Sequence, residues 1–234
     1  MVMTNTTLTI GHSDPIRVQD PTLPVPSRIR DLTDMVGGLS NPSKMPGLSY
    51  SLPAWRCKVG GSLRSVKGSV CSGCYAMKGC YVFPVVKDAL ERRFRAIRDE
   101  RWTAAMIALL RAKRGMRFFR WHDSGDLQSA NHLRNIVTIA ENVPSVRFWM
   151  PTREYRILDT FEGTIPSNLI VRVSAHMIGS DAPSRFSHTS VVLSKGTEST
   201  PGAFTCPASK QGNECYRCRA CWSPNARTIA YPVH

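Results

Sequence analysis

The residues with the most chemistry to offer are eight cysteines, which fall into two groups. Cys206, Cys215, Cys218 and Cys221 close the chain, the last three at successive spacings of three residues. Structural zinc usually draws C-x2-C pairs from two turns roughly 12–20 residues apart. A C-x2-C-x2-C triplet instead matches the wrap around one face of an iron–sulfur cluster, and Cys206, followed by Pro207, supplies a remote fourth thiolate. The spacing points to a 4Fe–4S cluster, with zinc as the alternative metal. In the first group, Cys57, Cys71 and Cys74 stand on a glycine-rich loop, and Cys80 follows. Three protein thiolates would leave one iron open to a substrate or cofactor. A fourth from Cys80 would close the site and make it structural or electron-transferring. Trp55, Tyr75 and Trp222, each near a cysteine, are expected to shield these centres from water.

A second set of polar residues sits where strands are expected to end. His122 and Asp123 open the run His122-Asp123-Ser124-Gly125-Asp126, and would be competent as an acid–base pair because histidine titrates near neutrality. Pro151-Thr152-Arg153, Ser174-Ala175-His176 and Ser194-Lys195 occupy the same position after later strands. The elements that must position them follow from periodicity. Strands are expected at 48–54, 116–121, 146–150, 169–173 and 190–193. One long helix or two consecutive ones fit 85–114. Ser129 is a suitable N-cap for a helix running to Asn142, and a short helix fits 155–161. Alternation of this kind implies an α/β fold with a parallel sheet, whose sites lie beyond the strand ends. The expected organisation is an extended N-terminal arm over 1–47, a partial parallel β/α barrel over 48–200 with a cluster loop at 57–80, and a Cys-rich metal-binding segment over 201–234.

The chain has 234 residues and a formal net charge of +14. Residues 85–120 carry eleven Lys and Arg against four Asp and Glu. Such a patch attracts phosphates, so nucleic acid is an expected partner, although the same arginines would equally serve as the solvated face of a helix. No apolar run is long enough for a membrane span. The first fifteen residues lack the basic start and apolar stretch of a signal peptide. The expected compartment is therefore a reducing cytoplasm, in which eight thiols call for metal rather than disulfides.

The runs NPSKMPG (41–47), LPA before Cys57, GSVCSGCYAMKGCYVFP (68–84), HDSGD and the terminal CPA…CRACW resemble the bacteriophage gene-product-88 family. That family's pattern has no fixed cysteine at the place of Cys80, which favours three thiolates in the first group. A weaker resemblance is to radical S-adenosylmethionine (radical SAM) enzymes, which place a three-cysteine cluster loop after the first strand of a partial β/α barrel. Here the spacing is C-x13-C-x2-C in place of that family's C-x3-C-x2-C. The resemblance implies S-adenosylmethionine as cofactor, with Asp123 and Asp126 beside its ammonium, Arg153 on its carboxylate, and Ser124, Ser174 and Lys195 at its remaining polar groups. It also implies a cytoplasmic iron–sulfur enzyme with one or two clusters that modifies a nucleic acid or a host protein. The alternative is a non-catalytic phage protein, stabilised by iron–sulfur or zinc, that binds nucleic acid or a host factor.

Overall fold

A computed structural model describes residues 15–233. Seven strands form one sheet in which every pair is parallel: β1 (Leu48–Tyr50), β2 (Phe118–Trp121), β3 (Arg147–Thr152), β4 (Leu169–Ser174), β5 (Thr189–Val192), β6 (Phe204–Thr205) and β7 (Thr228–Tyr231). Their order is β1-β2-β3-β4-β5-β7-β6, and the sheet does not close on itself. The five strands expected from the alternating segments are all present. β6 and β7 come from the segment expected to serve only for metal binding, so the Cys-rich end is woven into the sheet.

Among the described residues six α-helices accompany the strands: α1 (Ile29–Met35), α2 (Val59–Leu63), α3 (Pro84–Ala96), α4 (Trp102–Ala112), α5 (Ala130–Asn142) and α6 (Tyr155–Asp159). Pro84 opens α3 at a position where its missing N–H costs nothing. The helical stretch after it is two helices rather than one, broken between Ile97 and Arg101. Ser129 caps α5 as its residue type requires, accepting from the His132 amide at 3.1 Å. The arm expected to be extended over 1–47 contains α1; its first fourteen residues lie outside those described. Among the described residues no helix is long and apolar enough to cross a membrane.

Alternation along β2 sends Phe119 and Trp121 to one face and Phe118 and Arg120 to the other. The first face carries the main core: Tyr50, Phe119, Trp121 and Phe148 pack with Trp102, Met106 and Leu109 of α4 and Leu133 and Ile136 of α5. Trp102 donates its indole N–H to the Tyr50 hydroxyl at 3.0 Å, and that hydroxyl donates to the Val36 carbonyl at 2.7 Å, which fixes α1 and α4 against β1. The opposite face is covered by the C-terminal segment. Trp222 packs edge-on against Phe118 and Trp149 and donates to the Phe119 carbonyl at 2.9 Å.

The 122–126 loop prolongs the contact between β1 and β2. The His122 amide donates to the Tyr50 carbonyl at 2.9 Å, the Leu52 amide to the Ser124 carbonyl at 2.8 Å, and the Ser124 hydroxyl to the Leu52 carbonyl at 2.7 Å. Gly125 closes this turn at φ +78°, and a Cβ there would lie 2.6 Å from the Leu52 Cβ and 2.7 Å from the Leu52 oxygen. Both the left-handed backbone and the close approach require glycine. Gly125→Ala is therefore expected to lower stability by about 2–4 kcal/mol in urea unfolding. Gly61→Ala, with nothing within 4 Å of the added methyl, should be neutral or slightly stabilising.

Candidate metal centres

The first cysteine group is assembled by a capped turn. The Ser69 hydroxyl accepts from the Ser72 amide at 3.0 Å and starts a single 3-10 turn over Val70–Gly73. In such a turn side chains three residues apart eclipse, so Cys71 and the following Cys74 are presented together. This loop is pinned across the sheet edge: the Val70 amide donates to the His176 carbonyl and the Ile178 amide to the Gly68 carbonyl, both at 2.9 Å. Cys57 joins from the other side. A Cβ on Gly60 would sit 3.5 Å from the Cys71 Sγ and 3.7 Å from the Cys57 Sγ, so the absent side chain leaves both thiols facing one space. Burial pushes the Cys57 thiol up, reinforced by Asp126, Cys74, Cys71 and Glu154 around it. Burial also raises Cys71, while Arg153 beside it pulls the other way. Cys80 is exposed.

The second group surrounds a small pocket lined by Cys206, Cys215, Cys218 and Cys221 together with Pro207, Gln211 and Trp222. Backbone pairing sets each thiol. Cys206 directly follows β6 and its amide donates to the Ala230 carbonyl of β7 at 2.8 Å. The Cys215 amide donates to the Lys44 carbonyl at 2.9 Å, and the Cys218 amide to the Cys215 carbonyl at 2.7 Å. Cys221 Sγ lies 3.2 Å from the Tyr231 hydroxyl, and burial pushes its thiol up to about 11. All eight cysteines are free thiols. Among the described residues, no three His, Cys, Asp or Glu side chains stand arranged as a cage for a metal ion.

The polar residues expected to act at the strand ends divide into three kinds. Asp123 is buried and held in place: Oδ1 accepts from the hydroxyls of Ser49 (2.7 Å) and Ser51, and Oδ2 accepts from Tyr81 at 3.2 Å. Its carbonyl accepts from the Tyr75 hydroxyl. Asp126 is committed to β3, accepting from the Thr152 hydroxyl at 2.6 Å, the Leu127 amide at 2.8 Å and the Arg153 amide at 2.9 Å. Ser124 is spent on Leu52. Ser174 accepts from the Ser190 hydroxyl at 2.9 Å. Arg153 stays beside the first cysteine group, its Nε donating to the Ala175 carbonyl at 3.3 Å. Lys195 is exposed on the loop after β5.

His122 and Asp123 are not brought together as an acid–base pair. His122 takes the left-handed conformation at φ 56°, and its ring lies among Trp121 and His132 at centroid distances of 6.3 and 5.5 Å. Neither ring nitrogen has a hydrogen-bond partner among the described residues, and burial pushes its pKa down to about 3. Tyr75, expected to shield the first group, is 58% exposed, whereas Trp222 is buried against the second.

Three residues escape a reading of the sequence alone. Glu154 is buried and accepts from the Val59 amide at 2.9 Å, capping the helix that follows Cys57. Arg120 and Arg172 lie on the sheet face covered by the Cys-rich segment. A charge inside FFRW or LIVRVS breaks an otherwise apolar run, and that is the signal that was available.

Fold and site together define an α/β protein whose open parallel sheet carries one cysteine group beyond its strand ends and a second within the C-terminal segment that covers one face. The Gene product 88 family model matches residues 27–225, and the chain belongs to that phage family. No curated protein and no solved structure matches it.

The buried histidines set an acid limit. His122 and His132 stay neutral in the folded chain, because burial lowers both, but gain protons near pH 6.5 when unfolded. The unfolded state then binds more protons, so stability falls as pH drops below 6.5, by a limiting slope of about 1.4 kcal/mol per pH unit for each ring. His122→Asn, which tolerates positive φ, should shrink the difference in urea midpoint between pH 7.5 and 5.5 relative to wild type.

Proposed function

We propose that this protein is an iron–sulfur protein in which Cys57, Cys71 and Cys74 hold a 4Fe–4S cluster open at one iron, and Cys206, Cys215, Cys218 and Cys221 hold a second, closed one. The observation that carries the reading is that the sulfurs of Cys71 and Cys57 lie 3.5 and 3.7 Å from one point, the place of an added Cβ on Gly60, so that both thiols face one space. A zinc ion would need its thiolates about 4 Å apart in a tight tetrahedron, and a four-iron core spreads them wider. The successive spacings of three at Cys215, Cys218 and Cys221 favour the larger core, whose binding would complete the site.

A cluster bound through three thiolates supplies one-electron chemistry and a coordination position for a chelating small molecule, which in this reading is S-adenosylmethionine on a partial β/α barrel. The chain's own residues prepare that position. Glu154 fixes the start of α2 and thereby Cys57. Arg153 offers a guanidinium beside Cys71 for a carboxylate. Asp123, whose Oδ2 accepts a single hydroxyl, keeps acceptor capacity for an ammonium, whereas Asp126 and Ser124 hold the loop that presents it. Just after Cys74 in the chain, exposed Tyr75 and Phe83 with exposed Lys78 and Lys87 favour nucleic acid as substrate, since groups for stacking and for phosphate attraction alternate there.

Anaerobic purification followed by iron, sulfide and zinc analysis tests the proposal. About eight irons with matching sulfide are expected. Cys74→Ala should lose half the iron and Cys80→Ala none. S-adenosylmethionine added to the reduced protein should perturb one paramagnetic resonance signal. Zinc in place of iron would establish the non-catalytic alternative, and an unmoved spectrum would remove S-adenosylmethionine from the reading.

A further inference from the structure

Arg172 of β4 is a buried cation and Arg120 of β2 a half-buried one, and neither forms an ion pair within 4 Å among the described residues. Arg172 is fully buried; its Nη1 donates to the carbonyls of Thr189 (3.0 Å) and Arg227 (3.1 Å), and Nη2 to that of Ala220 at 3.5 Å. The Arg120 guanidinium lies 4.4 Å over the Trp149 ring, with Nη1 4.0 Å from the Met45 sulfur. The Nε of each has no partner among the described residues. Ion pairs within 4 Å among those residues are Arg56–Glu91, Arg101–Asp99 and Arg185–Asp159, none involving either arginine. Two positive charges in a sheet interior carry a heavy desolvation cost that backbone carbonyls only partly offset.

What both face is the C-terminal cysteine group. Ala220, whose carbonyl Arg172 holds, precedes Cys221, and Trp149, under Arg120, packs 5.1 Å from Trp222, which follows it. In the other direction Arg120 reaches Tyr75 and Asp123, the residues that fix the first group's loop. Four thiolates around a doubly positive core leave two negative charges, and the two arginines balance them.

We infer that Arg120 and Arg172 are the counter-charges of an anionic metal–tetrathiolate centre on Cys206, Cys215, Cys218 and Cys221, and that Arg120, between the two cysteine groups, couples that centre electrostatically to the first. This rests on the two-cluster reading. Both arginines act as positioning residues: they set how readily the centre forms and how readily it accepts a further electron, which would raise its negative charge to three.

The test uses the full chain, purified anaerobically, as wild type, Arg120→Met, Arg172→Met and the two Lys variants. Removing either cation should make metal loss to EDTA at least tenfold faster and shift the C-terminal centre's midpoint potential in the negative direction, read by paramagnetic resonance during titration with dithionite. Lysine should restore most of both properties, which a purely structural role for the guanidinium hydrogen bonds would not allow. Arg120→Met should shift the potentials of both centres, Arg172→Met that of one. Should Arg172→Met fail to fold, Arg120→Met carries the test, since its guanidinium holds no backbone carbonyl. Unchanged metal retention and potentials in variants that keep full iron would overturn the inference and leave the clusters standing. A wild type without iron would overturn the cluster reading itself.

Discussion

The arrangement hinges on the carboxylate of Asp123. Three hydroxyls converge on it, from Ser49 and Ser51 at the end of β1 and from Tyr81 beyond the cysteine loop, while Tyr75 holds its carbonyl. One side chain thereby ties the first strand, the second strand and the segment carrying Cys71 and Cys74 into a single unit. A buried carboxylate is tolerated only when its oxygens are satisfied. The demand for three donors therefore fixes where the cysteine loop can lie. Asp126 repeats the device one strand further on, fastening the same loop to Thr152 and Arg153. The strand-end polar residues are thus first of all the fasteners of the edge on which the first cysteine group is built.

Parallel topology explains why the two cysteine groups occupy different environments. Strands that all point one way gather their following loops on one edge of the sheet, and these loops carry Cys57, the 122–126 run, Arg153, Glu154 and His176. Of the second group, Cys206 follows parallel β6, whereas Cys215, Cys218 and Cys221 lie in the connection from β6 to β7, which covers the face that the helices leave free. Trp222 anchors that covering through Phe118, Trp149 and the Phe119 carbonyl. The first group sits at the strand-end edge and the second within the segment that covers the sheet face.

Much of this was legible in the residues. Strands such as FFRW and LIVRVS stand out because β-branched and aromatic residues are bounded by turn formers, and Ser129 announced α5 through the capping chemistry of its hydroxyl. The two cysteine groups were visible because thiol spacing is set by local turns. β6 and β7 were not: two and four residues long, they hold their place by pairing with a strand distant in sequence, which no local pattern encodes. The His122-Asp123 pairing failed for a similar reason. His122 takes a left-handed backbone that turns its ring into the aromatic core, which adjacency in sequence does not reveal.

Glu154, Arg120 and Arg172 show the limit most sharply, because each gains its meaning from a partner far along the chain. Within its own strand Arg172 reads as a polar residue on a half-exposed face. It becomes a fully buried cation only when residues near 189, 220 and 227 close over it. An apolar residue at that position would fill the same volume without the desolvation cost, so stability alone does not account for the charge. The cost is offset where negative charge gathers, and the nearest concentration of groups able to carry it is the four-thiol pocket. Under the two-cluster proposal charge and cysteines would form one unit, the bound centre supplying the negative partner that the sheet interior lacks.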